Sequence, residues 1–215
     1  MQRFLVTLLC GLAFLPAPIL AEGERAGAFD YWVLALSWSP NWCATEGAAR
    51  GSEQCDPEAA RGWVLHGLWP QYEAGWPSYC SGAAQDPSRA ETGQRADLFG
   101  DADAAWYQWK KHGRCSGMAP GAYYDTARAA FDAVIKPDVF ARMTDPLRMP
   151  TAVVEEAFLE ANAGLSADMI TITCKGDRIR EARVCLSRDG LDPRICGADV
   201  IRDCTAQDAL MAPIP

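Results

Sequence analysis

Apolar residues form two short, dense runs in the first third of the chain, over residues 29–38 and 63–70. Both runs carry aromatic and aliphatic side chains at consecutive positions, which is typical of strands buried on both faces. We expect the first run at the centre of a sheet and the second beside it. Residues 73–95 are instead dense in Gly, Ser, Pro and Asp, so this segment is predicted to be a long surface loop.

Three later segments have the period of helices. The first follows Asp101, which can cap an opening turn, and ends near Gly113, a residue suited to a left-handed closing conformation. The second covers residues 123–135, and the third begins near Thr151. Each of these last two carries a single apolar stripe, which indicates helices that pack against a core.

The end of the chain returns to the alternation of strands. Residues 169–174 and 179–186 flank the turn-forming sequence Lys175–Gly176–Asp177, which predicts a hairpin. Strands, then helices, then strands, joined by short connections, favour an α+β fold. We therefore expect a mainly antiparallel central sheet flanked by helices.

The N-terminus has the composition of an export signal. An apolar run from Phe4 to about Leu15 follows Arg3, and the small residue Ala21 suits a cleavage site. This predicts a signal peptide over residues 1–21 and a single domain over 22–215. No later stretch approaches the roughly 20 apolar residues of a membrane span, so we expect a secreted or periplasmic protein with no membrane association.

Cysteine usage agrees with export. Eight of the nine cysteines lie beyond residue 21, and an even number in an exported chain predicts four disulfides. Their clustering suggests Cys43 with Cys55, Cys80 with Cys115, and the last four among themselves. No Cys-x-x-Cys pair occurs, and neither histidine has a second nitrogen ligand three or four residues away. We therefore expect neither a bound metal nor a cofactor.

The charge balance limits the partners of this protein. Asp and Glu number 28 against 20 Lys and Arg, giving a net charge of -8. Such a chain has no bulk attraction for nucleic acids or anionic membranes, so binding to a polyanion requires a local cationic cleft. Residues 110–114 are the best candidate, because they combine three cations with one of the only two histidines.

The two histidines are the strongest candidates for chemistry. On a helix, Gln108, Lys111 and His112 share one face, while His66 lies in the second apolar run. Two imidazoles can remove one proton and donate another near neutral pH, and a lysine beside them would stabilise charge on a phosphoryl group. The alternatives without catalysis are that the histidine at position 66 is a core residue and that the cations only complement a helix end.

Two segments carry a family resemblance. His-Gly-Leu-Trp-Pro at 66–70 and Trp-Lys-Lys-His-Gly-Arg-Cys at 109–115 resemble the two active-site segments of the ribonuclease T2 family, in order and separation. The resemblance extends over most of the exported chain. It implies an α+β fold and endonucleolytic cleavage of single-stranded RNA without a metal. In that reaction the ribose 2'-hydroxyl attacks the adjacent phosphorus and leaves a 2',3'-cyclic phosphate.

The resemblance also implies roles for individual residues. His112 is expected to act as base and His66 as acid, while Lys111 stabilises the pentavalent phosphorus and Gln108 bonds a phosphate oxygen. Trp69 is expected to stack on a base, Gln71 and Tyr72 to form the edge of that base pocket, and Tyr107 to donate one hydrogen bond to the substrate. We expect a monomer whose only partner is single-stranded RNA.

One departure from the family pattern affects these expectations. Many members carry a His-Glu pair where this chain has Tyr107 and Gln108. Losing a carboxylate beside His112 removes a force that raises the pKa of an imidazolium, and from this we expect a less acidic pH optimum. Two alternatives stay open: a binding protein on the same scaffold that does not cleave RNA, and a cysteine hydrolase using Cys43 or Cys115.

Overall fold

The computed structural model describes residues 25–81 and 85–215. The predicted signal peptide therefore lies outside the described residues. Within them, no helix has the length and apolar character needed to cross a membrane.

Six strands form one sheet in the order β2-β1-β5-β6-β3, with β4 pairing to β5. All pairs are antiparallel except β5 with β6, so the sheet is mixed, and the α+β prediction is confirmed. The strands are β1 Tyr31–Trp38, β2 Trp63–Gln71, β3 Leu147–Met149, β4 Ile170–Lys175, β5 Arg178–Ser187 and β6 Ala209–Met211.

Strand β1 is an interior strand, as predicted, with β2 on one side and β5 on the other. All eight of its residues are buried. One face joins the main core with helical residues such as Tyr124 and Phe158, and the other packs Val33 against Cys185. This double burial explains why the strand reads as a continuous apolar run.

Seven helices accompany the sheet in the described residues. They are α1 Ser39–Trp42, α2 Arg89–Gly93, α3 Ala96–Phe99, α4 Ala102–Lys111, α5 Pro120–Ala133, α6 Asp138–Ala141 and α7 Thr151–Ala161. The three predicted helices correspond to α4, α5 and α7. The predicted hairpin is β4–β5, and Gly176 in its turn has a φ of 59°.

Three local predictions were wrong. The segment 73–95 contains α2, whose start is fixed by a reciprocal capping box between Ser88 and Glu91. Helix α5 ends at Ala133, so Ile135 lies beyond it and is 57% exposed. The left-handed closing residue after α4 is Gly117, with a φ of 75°, because a short 3-10 turn follows the helix first.

The predicted disulfides are confirmed. Cys43 bonds Cys55, and Cys80 bonds Cys115. The last four cysteines pair among themselves, in the bridges Cys174–Cys204 and Cys185–Cys196. The first bridge lies within the loop between α1 and β2, and the second joins the loop after β2 to the turn after α4.

Candidate active site

A groove of about 1030 Å³ lies between the sheet and α4. It brings together both histidines and most of the other predicted site residues. Those that line it are His66, Trp69, Gln71, Tyr107, Gln108, Lys111 and His112.

A bulge in β2 turns His66 toward this groove. The pairing of β1 with β2 matches Ala35 with Gly67 and Leu36 with Leu65, so His66 is the unpaired extra residue. Leu65 and Leu68 both enter the main core although they are three residues apart, which strict alternation would not allow. The bulge therefore sends the imidazole to the side of the sheet opposite the core, as bulges near active sites commonly do.

The imidazole of His66 is held by a carboxylate that the sequence analysis missed. Its Nδ1 lies 2.6 Å from Oε1 of Glu181, a residue of β5 that is 1% exposed. Arg183 donates to the other oxygen of Glu181 from Nε and from a terminal nitrogen, at 2.9 and 2.7 Å, and Arg180 lies 3.5 Å from Oε1. The buried carboxylate of Glu181 thus connects His66 to two arginines that are about one-third exposed.

His112 lies on the opposite wall, immediately after α4. Asp101 caps the helix by accepting the backbone N–H of Ala104 at 2.6 Å. At the other end, Tyr79 donates its backbone N–H to the carbonyl of Lys111, and Cys115 is bridged to Cys80. The helix end that carries His112 is therefore fixed from two sides.

The surroundings of His112 are poor in polar partners. The residue is 5% exposed, and its buried Nδ1 has no hydrogen-bond partner among the described residues. Burial first, then the positive charges of Lys111 and His66, hold the pKa of His112 well below its ordinary value. The ring is therefore held in its neutral form, which can accept a proton.

Glu181 has the opposite balance. Burial raises the pKa of its carboxyl, but the hydrogen bond and charge of His66, followed by the charges of Arg183 and Arg180, lower it by more. The net result is a pKa well below the ordinary range of a glutamate, so the carboxylate stays ionised beside His66.

Trp69 contacts both histidines. Its indole stacks on His112 with 5.1 Å between ring centroids, and it meets the ring of His66 edge-on at 5.3 Å. Its Nε1 donates to Oε1 of Gln108 at 2.8 Å. A Cβ on Gly67 would lie 2.2 Å from that nitrogen, so the glycine of the motif makes room for this indole.

The remaining predicted residues fall in different places. Lys111 lines the groove with its Nζ 5.9 Å from the ring centre of Tyr107, which is itself exposed. Gln71 also lines the groove, whereas Tyr72 packs against the main core and is not among the lining residues. Trp76, which is 47% exposed, lines the groove instead.

Sequence reasoning missed Trp76, Glu181 and the two arginines that hold Glu181. Trp76 lies in the Gly- and Pro-rich loop, where no period marks a residue as important. Glu181 did offer a signal, because it is the one acidic residue of a strand that otherwise contains apolar residues, arginines and a terminal serine. Its partner, however, lies 115 residues earlier.

The structure also bears on other kinds of site. No cluster of three or more His, Cys, Asp or Glu suited to a metal ion occurs in residues 25–81 and 85–215. Cys43 and Cys115 are both in disulfides, so neither is a free nucleophile. This removes the cysteine hydrolase alternative.

Comparisons with known proteins agree with this geometry. The model of the Ribonuclease T2 family matches residues 29–196. A ribonuclease of Aeromonas hydrophila is 31% identical over 210 residues, which cover 91% of this chain and 90% of that protein.

Two solved structures share the fold. RNase NT in complex with 5'-AMP matches with a TM-score of 0.62, over 87% of this chain and 98% of that one. An RNase-related protein from Calystegia sepium matches with a TM-score of 0.59, over 89% and 98%. Both are 19% identical to this chain, so they establish the fold alone. With the family match over most of its length, the chain belongs to the ribonuclease T2 family of RNA-cleaving enzymes.

Proposed function

We propose that this protein is an exported, metal-independent endoribonuclease that cleaves single-stranded RNA and leaves 2',3'-cyclic phosphate ends. The observation that carries the proposal is the pair of histidines on facing walls of one groove. His112 is buried and held neutral, whereas His66 is bonded to an ionised carboxylate. One ring is prepared to take a proton and the other to give one, and Lys111 lines the same groove.

The proposed reaction uses His112 as base and His66 as acid. The neutral ring of His112 removes the proton of the ribose 2'-hydroxyl, and the oxygen forms a bond to phosphorus. As the bond from phosphorus to the 5'-oxygen breaks, His66 gives that oxygen its proton. The ammonium of Lys111 stabilises the negative charge that grows on the nonbridging oxygens, which matters most in a groove with little water.

The rest of the groove binds the chain of nucleotides. Because Oε1 of Gln108 accepts from Trp69, its amide NH2 is the end that can donate to a phosphate oxygen. One face of Trp69 is stacked on His112, so Trp76 supplies the more open aromatic surface for a base. Gln71 forms the edge of that pocket, and Tyr107 borders the phosphate.

Export is supported by the four disulfides, which form and persist in oxidising compartments. The apolar run near the N-terminus supports it as well. In this proposal residues 22–215 act as one monomeric catalytic domain, secreted or periplasmic.

The low pKa of His112 favours the opposite pH dependence to the one expected from the sequence. A base works only when unprotonated, so a pKa held low by burial lets His112 act at low pH. The rising limb of the pH-rate profile is then acidic. A carboxylate at position 108 would have moved that limb upward, so its absence favours activity at lower pH, contrary to the expectation from the sequence.

The test is incubation of the mature, oxidised protein with single-stranded RNA in excess EDTA, beside His66→Ala and His112→Ala. Cyclic-phosphate ends, identified by mass and lost in both variants, are the expected result. Cleavage abolished by EDTA and restored by a metal would contradict the mechanism. Binding of RNA without cleavage by the wild type at any pH would favour the binding-protein alternative.

A further inference from the structure

Glu181 is the most costly side chain in the groove to bury. A carboxylate that is 1% exposed loses nearly all of its hydration, which is unfavourable for an ion unless it is paired and hydrogen-bonded. Arg183 and Arg180 offset this penalty with three contacts. An ion pair with these arginines alone would be a structural feature of β5, but the shortest contact of Glu181 is the one with His66, at 2.6 Å.

That contact fixes which nitrogen of His66 is left for the substrate. An ionised carboxylate can only accept, so Nδ1 of His66 must donate its proton to Oε1 of Glu181. The ring is then oriented with Nε2 toward the groove. Because His66 is the extra residue of a bulge, the strand pairing of β2 does not itself hold the side chain at this angle.

We infer that Glu181 is a positioning residue for the leaving-group step: it orients His66, fixes its tautomer, and stabilises the protonated ring that delivers a proton to the departing 5'-oxygen. The inference deepens the proposed function and rests on it. No bond of the substrate is made or broken by Glu181 itself. Its carboxylate stays ionised throughout the cycle while the proton on Nε2 of His66 is given up and regained.

The charges around His66 come from two elements. On β5 the anion Glu181 lies between Arg180 and Arg183, and on the helix wall Lys111 and the neutral ring of His112 line the same groove. Glu181 is thus the anion in direct contact with this imidazole, while Arg180, Arg183 and Lys111 are cations. The guanidinium of Arg183 also lies 5.2 Å over the ring of Trp69, which ties the same network to the stacked indole.

The base side of the site has no equivalent. Gln108, where many family members carry a carboxylate, is neutral and bonds Trp69. The buried carboxylate of Glu181 contacts His66, whereas His112 relies on burial and stacking. Removing Glu181 should therefore weaken proton delivery and leave proton removal intact.

Substrates with different leaving groups separate these two steps. Cleavage of a dinucleotide releases a 5'-alkoxide that needs a proton. Cleavage of a nucleoside 3'-(4-nitrophenyl phosphate) releases a phenolate that does not. Glu181→Gln preserves the shape of the side chain and removes its charge. Asp177→Asn is the matched control, because it removes an arginine-paired carboxylate from the same hairpin, outside the groove.

For Glu181→Gln we expect kcat on the dinucleotide to fall about 10- to 100-fold, less than the roughly 10²- to 10⁴-fold expected for loss of the general acid itself, with KM nearly unchanged. On the aryl ester we expect a change of less than about threefold, as for Asp177→Asn on both substrates. Equal losses on the two substrates, or a loss confined to KM, would overturn the inference. Glu181→Asp should recover part of the activity on the dinucleotide.

A measurement on the wild type avoids dependence on a variant's folding. Nitrogen-15 NMR of the histidine rings at a pH where His66 is neutral should show its proton on Nδ1, in a short hydrogen bond. A proton on Nε2 would overturn the inference. If wild-type protein cleaved no RNA, the proposed function would fail, while this spectrum would still report whether Glu181 sets the tautomer.

Discussion

On the sheet wall of the groove, His66 donates to a buried carboxylate that two arginines hold in place. On the helix wall, His112 is buried against Trp69, and its Nδ1 finds no partner in the described part of the chain. The residue type is the same, but the first wall surrounds the imidazole with charge and the second removes it from water. These are two of the distinct ways in which a protein sets a proton affinity.

The difference teaches how one groove can contain an acid and a base built from the same side chain. Two histidines in equal surroundings would protonate together, and the pair would then be all acid or all base over most of the pH range. The unequal walls divide the two roles. The predictions below alter residues of these two walls in turn.

The largest effect is expected from removing each imidazole in turn. His112→Ala should lose about 10²- to 10⁴-fold in kcat on both the dinucleotide and the 4-nitrophenyl ester, because both need the 2'-hydroxyl proton removed. His66→Ala should show a comparable loss on the dinucleotide only. Steady-state kinetics with the two substrates measures this. The reverse pattern would exchange the roles of acid and base.

Lys111 belongs to the helix wall but is expected to serve both steps. Lys111→Gln should lower kcat about 10²- to 10³-fold on either substrate, the range for removing one stabiliser of transition-state charge. Lys110→Gln is the matched control, since it removes a neighbouring cation that does not line the groove. Similar losses in both variants would mean that Lys111 contributes only general charge.

The two tryptophans of the groove should separate base binding from support of His112. Trp76→Ala should raise KM about tenfold with little change in kcat, because base stacking contributes roughly 1 to 3 kcal/mol. Trp69→Phe should mainly lower kcat, because it leaves Oε1 of Gln108 without its donor and alters the stack on His112. Kinetics on dinucleotides with different first bases tests both. A KM effect confined to Trp69→Phe would return base stacking to that residue.

The smallest effect concerns pH. Gln108→Glu places a carboxylate near His112, which favours the protonated ring, so the rising limb of the pH-rate profile should move up by about one unit.

Stability should depend on the same histidine: a pKa depressed in the folded state means that unfolded chains bind the proton first. The free energy of unfolding should therefore decrease as pH falls below the ordinary histidine value of about 6.5.

The helix wall could be predicted from the sequence because its signals are local. Asp101 caps α4, and the spacing of Gln108, Lys111 and His112 puts them on one face without reference to the rest of the chain. The glycine that ends the turn could not be chosen in the same way. Gly113 packs against Trp109 and Tyr123, where a Cβ would lie 2.6 to 3.0 Å from their rings, and that contact is tertiary.

The sheet wall could be predicted only in part. The sequence marked His66, but the contact that controls it comes from Glu181 on a strand 115 residues later. Nothing in the apolar run 63–70 announces a bulge, since that depends on the pairing of β2 with β1. Gly67 similarly reads as a point of close approach, but only the fold shows that Trp69 and Gln108 are what approaches.

The bulge in β2 decides which residues of the strand face the core and which face the groove. The sequence on either side of His66 does not itself fix which side chains face the core. The extra residue of the bulge does, because it shifts the alternation of the strand by one position. Deleting one residue before position 66 would leave the His-Gly-Leu-Trp-Pro motif intact. The strand would then pair without an extra residue, and Leu65 and the imidazole would exchange the sides of the sheet that they now occupy. The motif therefore places its histidine in the groove only when β2 pairs with β1 in this register.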